Sequence, residues 1–398
     1  MNTTPSIHLW APSLFDLKGG IETYSGFLLQ ALKDLYPELR PEICLMHDRG
    51  WQQPAEAPSR FHFTGTFPPQ FRAPAFATKA LAASINHPPD LVISTHLNFA
   101  VAAYWLKQVL GIPYWVVAHG FEAWDVQRPD LKRAIVHADR VLAVSTYTRD
   151  RLLQEQHLEP ERVSLLPNTF DGQRFQLAAK PTHLLQRYNL KVDQPVILTV
   201  NRLAAGEAYH PYDRVLDALP QMRQTMPDLR YLIVGEGNDR QRLEALIAER
   251  QLQDCVTLTG FVFDDELADY YNLCDVFALP SKLEGFGIVF LEAMASGKPV
   301  LGSCLDGAVD PLGQGRFGAL VDPDDTQAIA TTLITILQGN YPNLLMYQPE
   351  NLRKVAIDQF GYTSFSRTLG QLLASHFNQP LINPFPKESK FQPSAPIS

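Results

Sequence analysis

The chain has 398 residues, is 45% hydrophobic and 19% charged, and carries 34 Lys and Arg against 42 Asp and Glu. That length exceeds one compact core of ordinary size and predicts two domains. A net charge of -8 offers no concentrated positive face, so nucleic acid is not an expected partner. The excess acid lies wholly in the second half: residues 1–180 hold 17 basic and 17 acidic residues, residues 181–398 hold 17 and 25.

Met1 to Trp10 has neither a basic leader nor an apolar run, and no stretch reaches the ~20 apolar residues that span a bilayer, which predicts a cytoplasmic location. Six short apolar runs follow in the first half: Ile7 to Trp10, Glu42 to Met46, Leu91 to Ser94, Tyr114 to Ala118, Arg140 to Val144 and Val163 to Leu166. Helical patterns at Glu22 to Leu35, Phe99 to Leu110 and Thr148 to Gln156 separate them. Buried strands alternating with amphipathic helices predict a doubly wound α/β unit over residues 1–180.

After a polar stretch from Pro167 to Gln194 the alternation restarts at Val196 to Val200. It continues at Tyr231 to Val234, Val256 to Leu258, Val276 to Leu279, Pro299 to Leu301 and Ala319 to Val321, predicting a second such unit over residues 181–345. Two Rossmann-like units are expected to share a cleft lined by the C-terminal ends of their strands. Helices over 346–376, with Phe360, Tyr362, Phe365, Leu369 and Leu372 at helical spacing, should pack on a domain surface. Residues 377–398 contain five prolines and are expected to be a mobile tail.

Cys44, Cys255, Cys274 and Cys304 form no CxxC pair and lie near no matching histidines, so buried reduced thiols rather than a zinc site are expected. The segment Ser281 to Gly287 is more informative, because it leaves a strand and opens the helix Ile288 to Ser296. Its glycines permit close backbone approach, and the unpaired amides of a helix N-terminus suit a diphosphate. Glu292 falls one turn into that helix on the Ile288 face, within reach of ribose hydroxyls, while Glu284 leaves the loop on the other side. The same spacing also suits two solvated acids, one on a loop and one on a helix.

Glu284-Gly285-Phe286-Gly287-Ile288 with Glu292 resembles the donor-site motif of the retaining glycosyltransferases of family 4, which have the GT-B fold. The similarity runs from about Gly19 to Asp322 and includes four further stretches in order. Lys18-Gly19-Gly20-Ile21-Glu22 is similar to the glycine loop that approaches the donor diphosphate, although paired glycines also mark ordinary tight turns. His119-Gly120-Phe121-Glu122-Ala123-Trp124 resembles the segment whose histidine contacts the transferred sugar; a structural histidine is the alternative. Leu165 to Asp171 looks like the exit from the first domain, and Leu198 to Leu203 like the opening of the second.

By this resemblance Arg202 would clamp the donor diphosphate, and Gly235 and Glu236, in Val234 to Gly237, would line the nucleotide pocket. The family's second diphosphate cation, a lysine, is replaced here by His210, which is only partly charged at neutral pH. Lys282 is another candidate helper or a solvated lysine. The resemblance implies transfer of a hexose, with retention, from a UDP-, GDP- or ADP-linked sugar to a hydroxyl acceptor. In that reading Glu292 holds ribose, and Glu284 with His119 orients the sugar.

No cofactor is expected beyond the nucleotide-sugar substrate. No metal is expected either, since an Asp-x-Asp motif is not anticipated at a strand end and GT-B enzymes dispense with that feature. The lysine replacement motivates an alternative, a nucleotide-sugar-binding protein with weak or no turnover. Epimerisation and phosphorolysis on the same fold are further alternatives without a supporting motif. The acceptor would meet variable loops of the first domain such as Arg49 to Pro74. Arg128, Lys132, Arg133, Arg140, Arg149 and Arg151 suit either peripheral contact with an anionic membrane or ordinary solvated helix faces.

Overall fold

The computed structural model describes residues 4–50, 59–206 and 209–379. They fall into two units, residues 4–169 with 362–379, and residues 170–361. The anticipated tail beyond residue 379 lies outside the described residues.

Seven parallel strands form the first unit's sheet: β1 (Ile7–Ala11), β2 (Glu42–Leu45), β3 (Arg60–Phe63), β4 (Leu91–Ser94), β5 (Tyr114–Ala118), β6 (Arg140–Ala143) and β7 (Val163–Leu165). Their order is β3-β2-β1-β4-β5-β6-β7. Strands β1, β4 and β5 are buried along their whole length, as a parallel sheet covered on both faces requires. The helices are α1 (Gly20–Leu35), α2 (Pro69–Asn86), α3 (Ala100–Leu110), α4 (Pro129–Val136) and α5 (Thr146–Gln156). Ser145 starts α5 by accepting the Thr148 N–H on its Oγ at 3.0 Å.

Residues 51–58 of the loop expected from Arg49 to Pro74 lie outside the described residues, and strand β3 and helix α2 take up 60–63 and 69–74 of the remainder. Arg60 and His62 interrupt the apolar pattern, but β3 is an edge strand whose polar side chains are met by the buried Glu42 of β2. His62 Nε2 donates to Glu42 Oε2 at 3.0 Å, and Arg60 Nη1 donates to Oε1 at 3.3 Å. Pro74 lies inside α2, so the composition there does not read as a helix even though the helix forms.

In the second unit, β8 (Val196–Val200), β9 (Arg230–Val234), β10 (Val256–Gly260), β11 (Val276–Leu279), β12 (Val300–Ser303) and β13 (Ala319–Val321) are ordered β10-β9-β8-β11-β12-β13. Helices α6 (Thr182–Arg187), α7 (Pro211–Thr225), α8 (Arg240–Glu249), α9 (Asp264–Leu273), α10 (Ile288–Ala295), α11 (Thr326–Leu337) and α12 (Pro349–Phe360) belong to this unit. Its core joins Ile197, Tyr231, Ile233, Val276 and Leu301 of the sheet to Leu216 and Leu219 of α7 and Leu333 of α11.

Both sheets reverse their winding beside their first strand, between β1 and β4 and between β8 and β11. Loops leaving the C-terminal strand ends at such switch points are where open α/β sheets take ligands. Gly19 and Gly20 follow β1, Arg202 follows β8, and the Glu284 loop follows β11.

The chain crosses between units at Thr169 and Phe170 rather than near residue 180, because residues 170–175 are already tied into the second unit. Phe170 bridges to Gly361, and Arg353 of α12 donates to the Gly172 and Phe175 carbonyls. The expected terminal stripe is also divided. Phe360 ends α12 in the second unit, whereas α13 (Tyr362–Phe377) returns to the first unit. There Phe365 meets the Tyr24 ring edge-on at 5.5 Å, and Leu373, rather than Leu372, is the buried leucine at the end of the stripe. Among the described residues no helix is long and apolar enough to cross a membrane.

Candidate active site

The Glu284 loop is shaped by packing on both sides of it. Phe286 is 1% exposed and sets its ring edge-on against Phe360 at 5.5 Å, which anchors the loop's middle. Gly287 then takes φ +90°, where a Cβ would stand 2.5 Å from the Phe290 ring. Only glycine fits that turn without displacement. Helix α10 starts there with no side-chain cap, so its first two amides, of Ile288 and Val289, point out of the helix for a ligand to use, while the Phe290 N–H donates to the Gly287 carbonyl at 3.1 Å.

Glu292 sits one turn along α10, and Tyr271 of α9 donates its hydroxyl hydrogen to Oε2 at 2.7 Å. Burial pushes the Glu292 carboxyl up to about 7, with the Tyr271 hydrogen bond pulling the other way. Oε1 is left to receive hydroxyl donors. Glu284 Oε1 takes a long hydrogen bond from Phe286 N–H at 3.4 Å, across the turn.

Arg202 follows β8 with an exposed side chain, flanked by the fully buried Leu203. Leu203 N–H donates to the Glu236 carbonyl at 3.1 Å, so the Arg202 and Gly235–Gly237 loops run side by side. Gly235 and Gly237 have φ of +145° and +157°. A Cβ on them would stand 1.9 Å from the Asn201 carbonyl oxygen and 2.0 Å from that of Leu203. These glycines therefore set the separation of two backbones, a role that spacing alone does not reveal.

His210 precedes α7 and belongs to a buried polar chain. Tyr212 donates its hydrogen to Asp239 Oδ2 at 2.6 Å, so the Tyr212 oxygen receives the hydrogen of His210 Nδ1 at 3.1 Å. Nε2 remains for a ligand. Burial works against the Asp239 charge, but the Arg242 guanidinium, 2.7 Å away at two points, holds its carboxyl below the usual range. Lys282 is committed elsewhere: it pairs with Asp324 and lies 5.3 Å above the Tyr209 ring.

In the first unit, Gly20 opens α1 and a Cβ there would meet nothing within 4 Å. The loop before it is held by Asp48, which accepts from the backbone N–H of Leu14 at 2.8 Å and of Asp16 at 3.0 Å and from the Ser13 hydroxyl. His119 follows β5, its ring edge-on to Tyr24 of α1 at 5.0 Å. The Thr95 carbonyl can only accept, so His119 Nε2 carries the hydrogen at 2.9 Å and Nδ1 offers a lone pair. Burial pushes its pKa down to about 3, which keeps the ring neutral. Glu122 accepts the His119 backbone N–H at 2.6 Å and fixes the turn.

Sequence expectations change in places, the first being that Cys304 is exposed rather than buried. An Asp-x-Asp spacing does stand at a strand end, since Asp322-Pro323-Asp324 follows β13, but Asp324 is engaged by Lys282 and lies 3.6 Å from Arg214. Of the basic residues proposed for a membrane, Arg128, Arg149 and Arg151 pair with Asp130, Asp150 and Glu155. Arg140 stacks on Trp115 at 5.4 Å. Asp48, Asp239, Tyr271 and Asp306 support the site without a sequence signal beyond the turn-forming Asp306-Gly307 pair.

Residues 182–355 match the family model for glycosyl transferases group 1, and residues 18–174 match that for glycosyltransferase family 4. A GDP-mannose-dependent alpha-(1-6)-phosphatidylinositol monomannoside mannosyltransferase of Mycolicibacterium smegmatis is 33% identical over 64% of this chain and 68% of its own. The chain belongs to the group 1 glycosyltransferases.

An alpha-D-kanosaminyltransferase of Streptomyces kanamyceticus is 31% identical, with 62% of this chain and 67% of that protein covered. Against the mannosylfructose-phosphate synthase of Agrobacterium fabrum, 26% identical, this glycosyltransferase covers 62% of its own length and 60% of the relative's. Among solved structures, Anabaena Alr3699/HepE in complex with UDP-glucose superposes with TM-score 0.74 at 20% identity, covering 93% of this chain and all of that one. A sucrose-phosphate synthase from Thermosynechococcus elongatus gives TM-score 0.75 at 21% identity, over 94% and 99%. The fold is GT-B.

Proposed function

We propose that this glycosyltransferase moves a hexose from a nucleoside-diphosphate sugar to a hydroxyl acceptor with retention at the anomeric carbon. The observation that carries the reading is the second unit's switch point, where the uncapped α10 N-terminus, Arg202 and Glu292 stand at neighbouring loops. Amides, a guanidinium and a ribose-binding carboxylate together match a nucleotide diphosphate. A mannosyltransferase relative named as GDP-mannose-dependent and an Anabaena neighbour solved with UDP-glucose support a nucleotide-sugar donor.

In the proposed reaction the bond from the anomeric carbon to the diphosphate oxygen breaks and its electron pair leaves with the diphosphate. The acceptor oxygen bonds to that carbon from the same face, and its proton passes to the departing phosphate. Arg202 and the α10 amides stabilise the growing negative charge. His210, held from behind by Tyr212 and Asp239, presents Nε2 to the same phosphates. Glu284 orients sugar hydroxyls by accepting on its carboxylate, and within the first unit the neutral His119 offers Nδ1 as an acceptor for a hydroxyl. In the first unit, Gly20 leaves open space at the start of α1.

The test incubates the purified chain with UDP-, GDP- and ADP-sugars and follows nucleotide release, with Glu284→Ala and Arg202→Ala as controls. Release that depends on both residues is expected. Calorimetric donor binding without release or transfer over a broad acceptor panel would replace the enzyme with a binding protein.

A further inference from the structure

A carboxyl that lies outside the donor motif holds the backbone of the loop carrying Glu284. Asp306 Oδ2 accepts the Glu284 N–H at 3.1 Å, and Oδ1 accepts the Ala308 N–H at 3.0 Å. In return the Gly307 N–H donates to the Glu284 carbonyl at 2.7 Å. Both backbone polar groups of Glu284 are thus fixed by the Asp306–Gly307 turn after β12. The fit is tight, because a Cβ on Gly307 would stand 2.1 Å from the Gly285 carbonyl oxygen.

Asp306 is wholly inaccessible to solvent. Burial first, and the neighbouring Glu284 carboxylate second, push its carboxyl well above the usual range. A carboxyl buried beside another acid costs stability and has no evident value for packing. Such pairs persist where geometry at a site requires them.

We propose that Asp306 is a positioning residue: through the reciprocal backbone clip it sets the direction in which Glu284 presents its carboxylate to the donor sugar. The inference rests on the reading of Glu284 as a sugar-orienting group. Asp306 itself touches no substrate.

The test compares intact wild type, Asp306→Ala, Asp306→Asn, Glu284→Gln and the Asp306→Ala/Glu284→Gln double variant. By hydrogen–deuterium exchange, Asp306→Ala should speed exchange in peptides over residues 281–290 by about tenfold or more, with other peptides of the second unit unchanged. Asp306→Asn, which keeps one acceptor oxygen, should restore part of that protection. In nucleotide release from UDP-glucose, GDP-mannose and ADP-glucose, Asp306→Ala should lower kcat by about tenfold or more with KM within about threefold. It should cause no further loss in the Glu284→Gln background.

Unchanged exchange over residues 281–290 in Asp306→Ala overturns the proposal, with or without turnover. So do additive losses in the double variant. A slow Glu284→Gln beside a fast Asp306→Ala overturns this inference alone, whereas a Glu284→Gln as fast as wild type overturns the sugar-orienting role of Glu284 and this inference with it.

Discussion

Tyr271 donates its hydroxyl hydrogen to Glu292 Oε2 at 2.7 Å from a fully buried ring, so one oxygen of the carboxylate is held by the protein and the other is left to a ligand. A tyrosine behind the carboxylate both aims it and favours its charged form.

That pairing makes donor affinity depend on pH. Burial places the Glu292 carboxyl at about 7, and ribose hydroxyls, being donors, prefer the ionised form. Affinity for a nucleotide sugar should rise by about tenfold from pH 6 to pH 8. Calorimetric titration with UDP-glucose or GDP-mannose measures it. Tyr271→Phe should move the rise to higher pH, and an affinity flat over this range would remove Glu292 from the donor site.

Acid stability should carry the mark of two imidazoles. Burial depresses His8 to about 4 and His119 to about 3, below the roughly 6.5 of an unfolded histidine. Their contribution is present above pH 6.5 and is lost as pH falls toward those folded values, because the unfolded chain takes up protons the folded chain refuses. Each contributes a slope of at most ~1.4 kcal/mol per pH unit between 6.5 and 5. Denaturant unfolding of wild type, His8→Gln and His119→Asn across that range should show a shallower slope for each variant.

Gly235→Ala and Gly237→Ala should each cost about 2–4 kcal/mol of stability, since both backbone angle and space exclude a side chain. Gly20→Ala, which meets nothing within 4 Å, should leave the melting temperature unchanged. Thermal denaturation of the three variants separates the two kinds of glycine, and equal melting temperatures would contradict the packing described.

His210 should leave a signature in the pH profile of nucleotide release. Imidazole and ammonium groups carry their protons over different pH ranges, the ammonium well beyond neutrality. His210→Lys should hold its activity to higher pH than wild type. Superimposable profiles would take His210 off the diphosphate.

Much of the fold was legible because both sheets are parallel and covered on two faces. Runs such as Val196 to Val200 and Val276 to Leu279 therefore appear as uninterrupted apolar segments, and the strand ends observed lie close to those expected. Strand β3 was hidden because its polar face is satisfied by Glu42, a partner distant in sequence. The site divides in the same way. Glu284, Gly287 and Glu292 sit on one loop and helix and are visible as a motif, whereas Asp306, Asp48 and Tyr271 act through contacts made only after the chain folds. Lys282 could be placed only by the structure, since Asp324 lies on a different loop.

Helix α13 has a consequence for the order in which the protein can be made. It supplies Tyr362, Phe365, Leu369 and Leu373 to a unit whose other strands and helices are all encoded before residue 170. The part of the cover over Tyr24 and Phe27 that comes from α13 is therefore synthesised only after all of the second unit. The second unit is continuous in sequence and can close first. The half begun earliest is thus finished last, and chaperones that shield nascent apolar surface would meet the face awaiting α13.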